Sequence, residues 1–259
     1  MSEPLQRGRL LLVPTPLDFG LRDHGPVPAL QEILPLGVIR QAAALTHWVA
    51  ENARTARAFL KRVDEIVPLA QPMQALHIVE LPRPVKGAKD RQAPDLDVLL
   101  APALQGQDVG LVSEAGLPGV ADPGALLVQA AHRQGIVVLA LPGASSLLLA
   151  LATSGLNGQS FAFVGYLPVE AAARAARIRE LEALSRRARQ TQLLIETPYR
   201  NPALLAALLT HLQPATRLSV SCGLTLPDGW TRSDSVAAWR VGHVPLPADV
   251  PAVFALQAA

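Results

Sequence analysis

The chain has 259 residues, half of them hydrophobic and 17% charged, with a formal net charge of +2; a folded core is expected and global disorder excluded. So small a net charge does not by itself point to nucleic acid. The single cysteine, Cys222, excludes an internal disulfide and a cysteine-cluster metal site, and it agrees with a reducing compartment.

The apolar run at 10–13 predicts a first buried strand, which Pro14 ends too soon for the core of a signal peptide. A helical pattern with a break at Pro35 covers 29–44, and HWVA at 47–50 reads as a second strand. Residues 52–62 form an amphipathic helix with Ala53, Ala56, Phe59 and Leu60 on one face. A strand follows at 76–81, then an exposed loop at 82–94 marked by Pro82, Pro84, Gly87 and Pro94. Residues 95–104 are helical and 109–113 a strand. The helix at 125–134 carries an apolar stripe of Leu126, Leu127, Ala130 and Ala131, with Gly135 placed to end it. A fully apolar strand at 136–141 leads into a helix at 146–153. Strands alternating with helices imply a parallel α/β sheet covered on both faces.

Beyond Asn157 the texture changes. Strands are expected at 161–165, 193–196, 218–222, 236–241 and 252–256, with helices at 170–189 and 203–212. Late strands lying close together suggest a mixed or antiparallel sheet. The expected division is an N-terminal α/β domain over 1–157 and a C-terminal α/β domain over 158–259. The apolar stretch at 139–151 is interrupted by Pro142, Gly143, Ser145 and Ser146 and falls short of the roughly 20 residues of a membrane span. A soluble cytoplasmic protein without a membrane partner is the plain expectation.

Two strand-to-helix loops could carry chemistry. In SEAGLPGVADPG, residues 113–124, glycines allow close backbone approach and prolines hold the loop rigid at the carboxyl end of a predicted strand, where open α/β sheets bind ligands. Asp122 before Pro123 is explained as a helix N-cap; Glu114 has no such structural explanation. In PGASS, residues 142–146, small residues and hydroxyls precede a helix start, a place that can bind an acceptor group or simply be a turn capped by Ser145 or Ser146. There is no P-loop, no dinucleotide fingerprint and no G-x-S-x-G elbow. The six histidines lack ligand spacing, so no metal is expected.

These loops, together with VPTP at 13–16, AENARTARAFL at 50–60, FVGYLP at 163–168 and ETPYRN at 196–201, resemble the tetrapyrrole methylase family. Within it, the small-subunit ribosomal RNA ribose 2′-O-methyltransferase branch is the nearest likeness. The resemblance implies a two-domain α/β protein with a mixed C-terminal sheet, S-adenosylmethionine bound in a cleft between the domains, and a homodimer. By the same resemblance, Glu114 and the backbone of Ala115, Gly116 and Leu117 lie along the cofactor, with Ser145 and Ser146 opposite. Pro14, Thr15 and Pro16 form a loop over the reactive end, and Tyr199, Leu224 and Pro251 are the second domain's contacts. Glu51 and Glu196 stand as alternative catalytic bases, since a ribose hydroxyl is a poor nucleophile at neutral pH. Each could instead be a structural ion pair, with Arg54 or Arg200.

The resemblance frays on the acceptor side. LDFG at 17–20 replaces an Ile-Gly-Asn continuation, Glu114 replaces an aspartate, and ELPRPVKGAKDRQAP at 80–94 stands where a His/Glu/Asn-rich segment is usual. Six arginines on the helix at 170–189 could meet phosphates or simply be solvated. The implied activity is methyl transfer to an RNA ribose or other large acceptor. The alternatives are transfer to a tetrapyrrole or other small molecule, and a cofactor-binding or dimerisation protein without catalysis.

Overall fold

The computed structural model describes residues 6–18, 27–82, 95–242 and 244–259. The chain divides into two compact units, 1–144 and 145–259.

The first unit is a five-stranded, wholly parallel sheet. Its strands are β1 (Leu10–Leu12), β2 (His47–Ala50), β3 (His77–Glu80), β4 (Val109–Val112) and β5 (Val138–Ala140), in the order β3-β2-β4-β1-β5. The continuous apolar runs suit strands buried on both faces. On one face, α1 (Leu30–Ile33), α2 (Leu36–Ala44) and α3 (Ala53–Asp64) pack over Leu11, Trp48, Ala50 and Val112. On the other, α4 (Ala101–Leu104) and α5 (Ala125–Arg133) cover Leu10, Val49, Val109 and Leu111. Pro35 separates α1 from α2 as the sequence predicts, because its ring fixes an extended approach to the second helix. Asn52 caps α3 by accepting a hydrogen bond from the Arg54 amide at 2.9 Å.

Two expectations for this unit change. Asp122 is not a helix cap: α5 begins at Ala125 behind Gly124, and no side chain caps it. The stripe of α5 is narrower than periodicity suggested, since Leu127, Ala130 and Ala131 are buried while Leu126 is 58% exposed. Of the loop expected at 82–94, all but Pro82 lies outside the described residues, as do the last two positions of LDFG.

The second unit is a mixed sheet of five strands in the order β6-β7-β10-β8-β9. These are β6 (Phe161–Phe163), β7 (Thr191–Ile195), β8 (Arg217–Cys222), β9 (Trp230–Ser235) and β10 (Ala252–Gln257). Only β6 and β7 run parallel; the other pairs are antiparallel. One face is covered by α7 (Ala171–Ala188), α8 (Asn201–His211) and α9 (Val236–Val241), and the other by α6 (Ser146–Ser154). Leu147, Ala150 and Leu151 of α6 pack on Leu193, Val253 and Ala255 of this sheet. That burial places α6 in the second unit, so the division falls before Ser145 rather than near Asn157.

The strand expected at 236–241 is helix α9. Ser235 caps it, accepting from the Ala238 amide at 3.2 Å, and Trp239 is buried beneath it with its indole N–H donating to the Leu218 carbonyl at 2.8 Å. The strand that pairs with β8 on the side away from β10 is β9, whose sequence WTRSDS is too polar to advertise itself.

Candidate active site

The carboxyl ends of β1, β4 and β5 lie side by side in the first sheet, and their loops are fastened to one another. After β1 comes Pro14-Thr15-Pro16. The Thr15 amide donates to the Gly116 carbonyl at 2.9 Å, and the Gly116 amide donates back to the Thr15 carbonyl at 3.1 Å. Thr15 is buried, and Gly116 adopts a left-handed backbone with φ 77°, where a Cβ would sit 3.2 Å from the Leu17 side chain. After β5, Gly143 lies so close to Pro14 that a Cβ would meet its ring at 2.3 Å. VPTP, SEAG and PGA are therefore three walls of one cradle, and its glycines leave room for the Leu17 side chain and the Pro14 ring.

The second layer of the site comes from the turn between β2 and α3. Glu51 accepts a hydrogen bond from the Glu114 amide at 3.1 Å, and the Asn52 side-chain amide donates to the Glu114 carboxylate at 3.0 Å. Two consecutive residues thus grip Glu114 at main chain and side chain together. Asp122 stands nearby, with the Ser113 hydroxyl as its hydrogen-bonding neighbour. Burial pushes the Asp122 carboxyl up to about 6, Ser113 partly opposes this, and the charges of Glu51 and Glu114 push the same way as burial.

Glu114 borders two cavities. One, of about 800 Å³, is lined by Glu51, Asn52, Glu114, Asp122, Leu96 and Leu126. The other, of about 710 Å³, is lined by Thr15, Pro16, Phe59, Arg62, Ser113 and Glu114. Arg62 reaches from α3 to the Asp18 carboxylate at 2.7 Å and to the Pro28 carbonyl at 3.0 Å. No group of side chains among the described residues could hold a metal ion.

In the second unit, Tyr199, Leu224 and Pro251 share one end of the sheet, where β7 and β8 finish and antiparallel β10 begins. Tyr199 sits in a 3-10 turn and is 70% exposed. The Gly223 amide donates to the Pro251 carbonyl at 3.0 Å, and the buried Asn201 side chain donates to the Val250 carbonyl at 3.1 Å. Glu196 is buried. Its carboxylate lies 2.8 Å from Arg200 and accepts from the Thr197 amide at 2.9 Å. The contact with Arg200 is an ion pair by distance rather than a well-aligned hydrogen bond. Ser145 occupies the N-cap position of α6, yet its hydroxyl makes no capping hydrogen bond; Ser146 is the first residue of that helix.

The structure thus gathers Pro14, Thr15, Pro16, Glu51 and Glu114–Leu117 at one edge of the first sheet. It adds Asn52, Arg62, Ser113 and Asp122, which sequence reasoning assigned to caps, a solvated helix face or nothing. Asn52 and Arg62 do lie in and just after AENARTARAFL, but helical periodicity reads only the buried stripe of such a segment.

A profile of the tetrapyrrole (corrin/porphyrin) methylases matches residues 39–233, which is most of the chain. The chain belongs to this family. Among curated proteins, "Ribosomal RNA small subunit methyltransferase I" of Mycobacterium tuberculosis is 32% identical over 251 residues, covering 93% of this chain and 75% of that one. The protein of the same name from Synechocystis is 40% identical over 127 residues, 49% of this chain and 44% of the relative. The chain thus spans less than half the length of several curated relatives it matches. Among solved structures, the methyltransferase CobJ is similar with a TM-score of 0.56 at 17% identity, covering 97% of this chain and 95% of that one. The cobalt precorrin-4 methyltransferase CbiF gives 0.52 at 11% identity, covering 99% and 97%. At such identities the likeness carries the fold alone, a parallel sheet followed by a mixed one, as the resemblance implied.

Proposed function

We propose that this protein is an S-adenosylmethionine-dependent methyltransferase whose acceptor is a ribose hydroxyl of small-subunit ribosomal RNA. The observation that carries the reading is the cradle built by the Thr15–Gly116 bridge, with Glu114 held at its rim. The mycobacterial relative, matched over 93% of this chain, is named for that RNA and supports the acceptor class.

The residues present fit the cofactor. It carries a positive sulfonium and a positive ammonium, for which carbonyls and carboxylates are the suitable neighbours. Glu51, Glu114 and Asp122 line the larger cavity, and no lysine or arginine among the described residues does. When bound, the cofactor supplies an electrophilic methyl group. Displacement at that methyl asks the protein mainly for alignment, which a cradle fastened by main-chain hydrogen bonds provides without reorganisation. Pro14, Thr15, Pro16 and Glu114–Leu117 hold the cofactor in this reading, and Glu51 and Asn52 hold Glu114.

For the acceptor, α7 offers a basic face. Glu182 turns inward, accepting from the Gln213 amide at 2.8 Å, while Arg179, Arg187 and Arg189 are exposed. The inward turn of Glu182 leaves one acidic side chain fewer to oppose those arginines, which favours phosphate contact. A cytoplasmic location, where ribosomal RNA is found, and a homodimer complete the reading; light scattering on the purified protein tests the dimer.

The direct test is transfer of labelled methyl from S-adenosylmethionine to a small-subunit ribosomal RNA transcript, beside a porphyrinoid acceptor. Label in the RNA at a ribose oxygen is expected. Label in the porphyrinoid with none in RNA would replace the acceptor and leave the cofactor.

A further inference from the structure

Resting on the methyltransferase reading above, we propose that Asp122 is the catalytic residue that accepts the proton of the methyl-accepting hydroxyl. Its carboxyl lines the cavity of about 800 Å³ that Glu114 joins to the cradle. The helix that follows does not use it, because α5 starts behind Gly124 without a side-chain cap. The backbone just before it is held in an uncommon state, with Ala121 at φ 65°, a left-handed conformation that a residue with a Cβ adopts only where its surroundings impose it. That turn fixes the direction in which Asp122 leaves the loop.

The other carboxylates weighed as bases or as cofactor contacts are committed elsewhere. Glu196 is buried against Arg200 and Thr197. Glu51 receives the Glu114 amide, and Glu114 receives Asn52. Asp122 instead has Ser113 as its neighbour, and the Ser113 hydroxyl donates to the Ala115 carbonyl at 3.3 Å. In this reading the hydroxyl turns from Ala115 to Asp122 while the carboxylate is charged. Once Asp122 has taken a proton, Ser113 donates to the Ala115 carbonyl and accepts from the Asp122 carboxyl. Either protonation state is thereby satisfied without moving the loop.

The step balances as follows. The acceptor O–H bond breaks and its proton goes to an Asp122 oxygen. The electron pair left on the hydroxyl oxygen forms the new bond to the methyl carbon, and the carbon–sulfur bond breaks with its pair staying on sulfur. The products are the methyl ether, neutral S-adenosylhomocysteine and protonated Asp122, which returns its proton to water. Among the described residues, the charged or polar groups facing Asp122 are Ser113, Glu51, Asn52 and Glu114, and burial together with the two glutamates makes it a better proton acceptor than an ordinary aspartate. Its midpoint of about 6 leaves it ionised at neutral pH.

The experiment compares wild type, Asp122→Asn and Ser113→Ala with S-adenosylmethionine and the ribosomal RNA transcript. Asp122→Asn is expected to bind S-adenosylmethionine within about tenfold of wild type by calorimetry while losing about 10²–10⁴-fold in transfer. The wild-type kcat/KM should rise with pH through about 6, and the variant should lose that limb. Carbon NMR of the Asp122 carboxyl in the free protein should titrate at the same place, and Ser113→Ala should move both midpoints upward. Transfer by Asp122→Asn equal to wild type, or an Asp122 carbon titrating near pH 4, overturns the assignment and leaves the methyltransferase reading standing. Failure of wild type to bind S-adenosylmethionine overturns both.

Discussion

Thr15 and Gly116 exchange both main-chain hydrogen bonds, at 2.9 and 3.1 Å, although one follows the first strand and the other the fourth. Such an isolated antiparallel bridge between two loops serves no sheet; β1 and β4 are already paired in parallel. It fixes the spacing of two loops at the edge where α/β sheets bind ligands. The geometry of the cradle is thus set before any ligand arrives, which is what alignment of a displacement reaction requires.

Gly116→Ala should separate stability from site geometry. The left-handed φ of 77° costs a side-chain-bearing residue about 1–2 kcal/mol, and the new methyl would press on Leu17. Urea denaturation should show a loss of that size. Calorimetry should show weaker S-adenosylmethionine binding even at temperatures where the variant is fully folded.

Glu51 is better explained as a positioning residue than as a base. Glu51→Gln keeps an acceptor for the Glu114 amide and should retain most of the transfer activity. Glu51→Ala leaves that amide without its acceptor, at a cost of about 1–3 kcal/mol, and should weaken cofactor binding as well. Equal and near-complete loss of kcat in both variants, with binding intact, would restore Glu51 as the base.

Arg62 ties Asp18 to Pro28 from a single helix position. Arg62→Ala should destabilise the fold by about 1–3 kcal/mol, since it removes a cation from beside a largely buried carboxylate and a donor from the Pro28 carbonyl. Arg62→Lys should recover only part, because an ammonium lacks the fork that reaches both partners. Denaturation midpoints of the three proteins at one pH decide this.

The raised Asp122 carboxyl makes a stability prediction of known sign. Its folded value of about 6 lies above the ordinary 3.8, so the folded state binds the proton more tightly than the unfolded chain. The resulting stabilisation is fully present below about pH 4 and is lost as pH rises through about 6. Asp122→Asn removes this dependence. The stability difference between variant and wild type should therefore shift across that window and stay constant above it, as read from denaturation curves at successive pH values.

The fold was largely legible because its signals are local. Apolar runs such as LLLV and HWVA announce buried parallel strands, and Pro35 and Gly135 punctuate the helices where expected. What escaped depends on tertiary partners. Residues 236–241 alternate well enough for a strand, yet Ser235 caps them and Trp239 needs a pocket, so they coil into α9. Ser146–Ser154 looks like the last helix of the first domain, but its Leu147 and Leu151 find their cover on the second sheet. At the site, the loops could be read from their glycines and prolines. The roles of Asn52, Arg62 and Asp122 could not, because each is defined by a neighbour that is distant in sequence or by a cap that is not made.

The central claim is that the bridged loops cradle S-adenosylmethionine. Calorimetric titration of the purified protein with S-adenosylmethionine, repeated on Gly116→Ala, tests it most directly. The account predicts saturable binding near one site per chain, with clear weakening in the variant. Absence of binding to the wild type, or identical binding by both proteins, would contradict it.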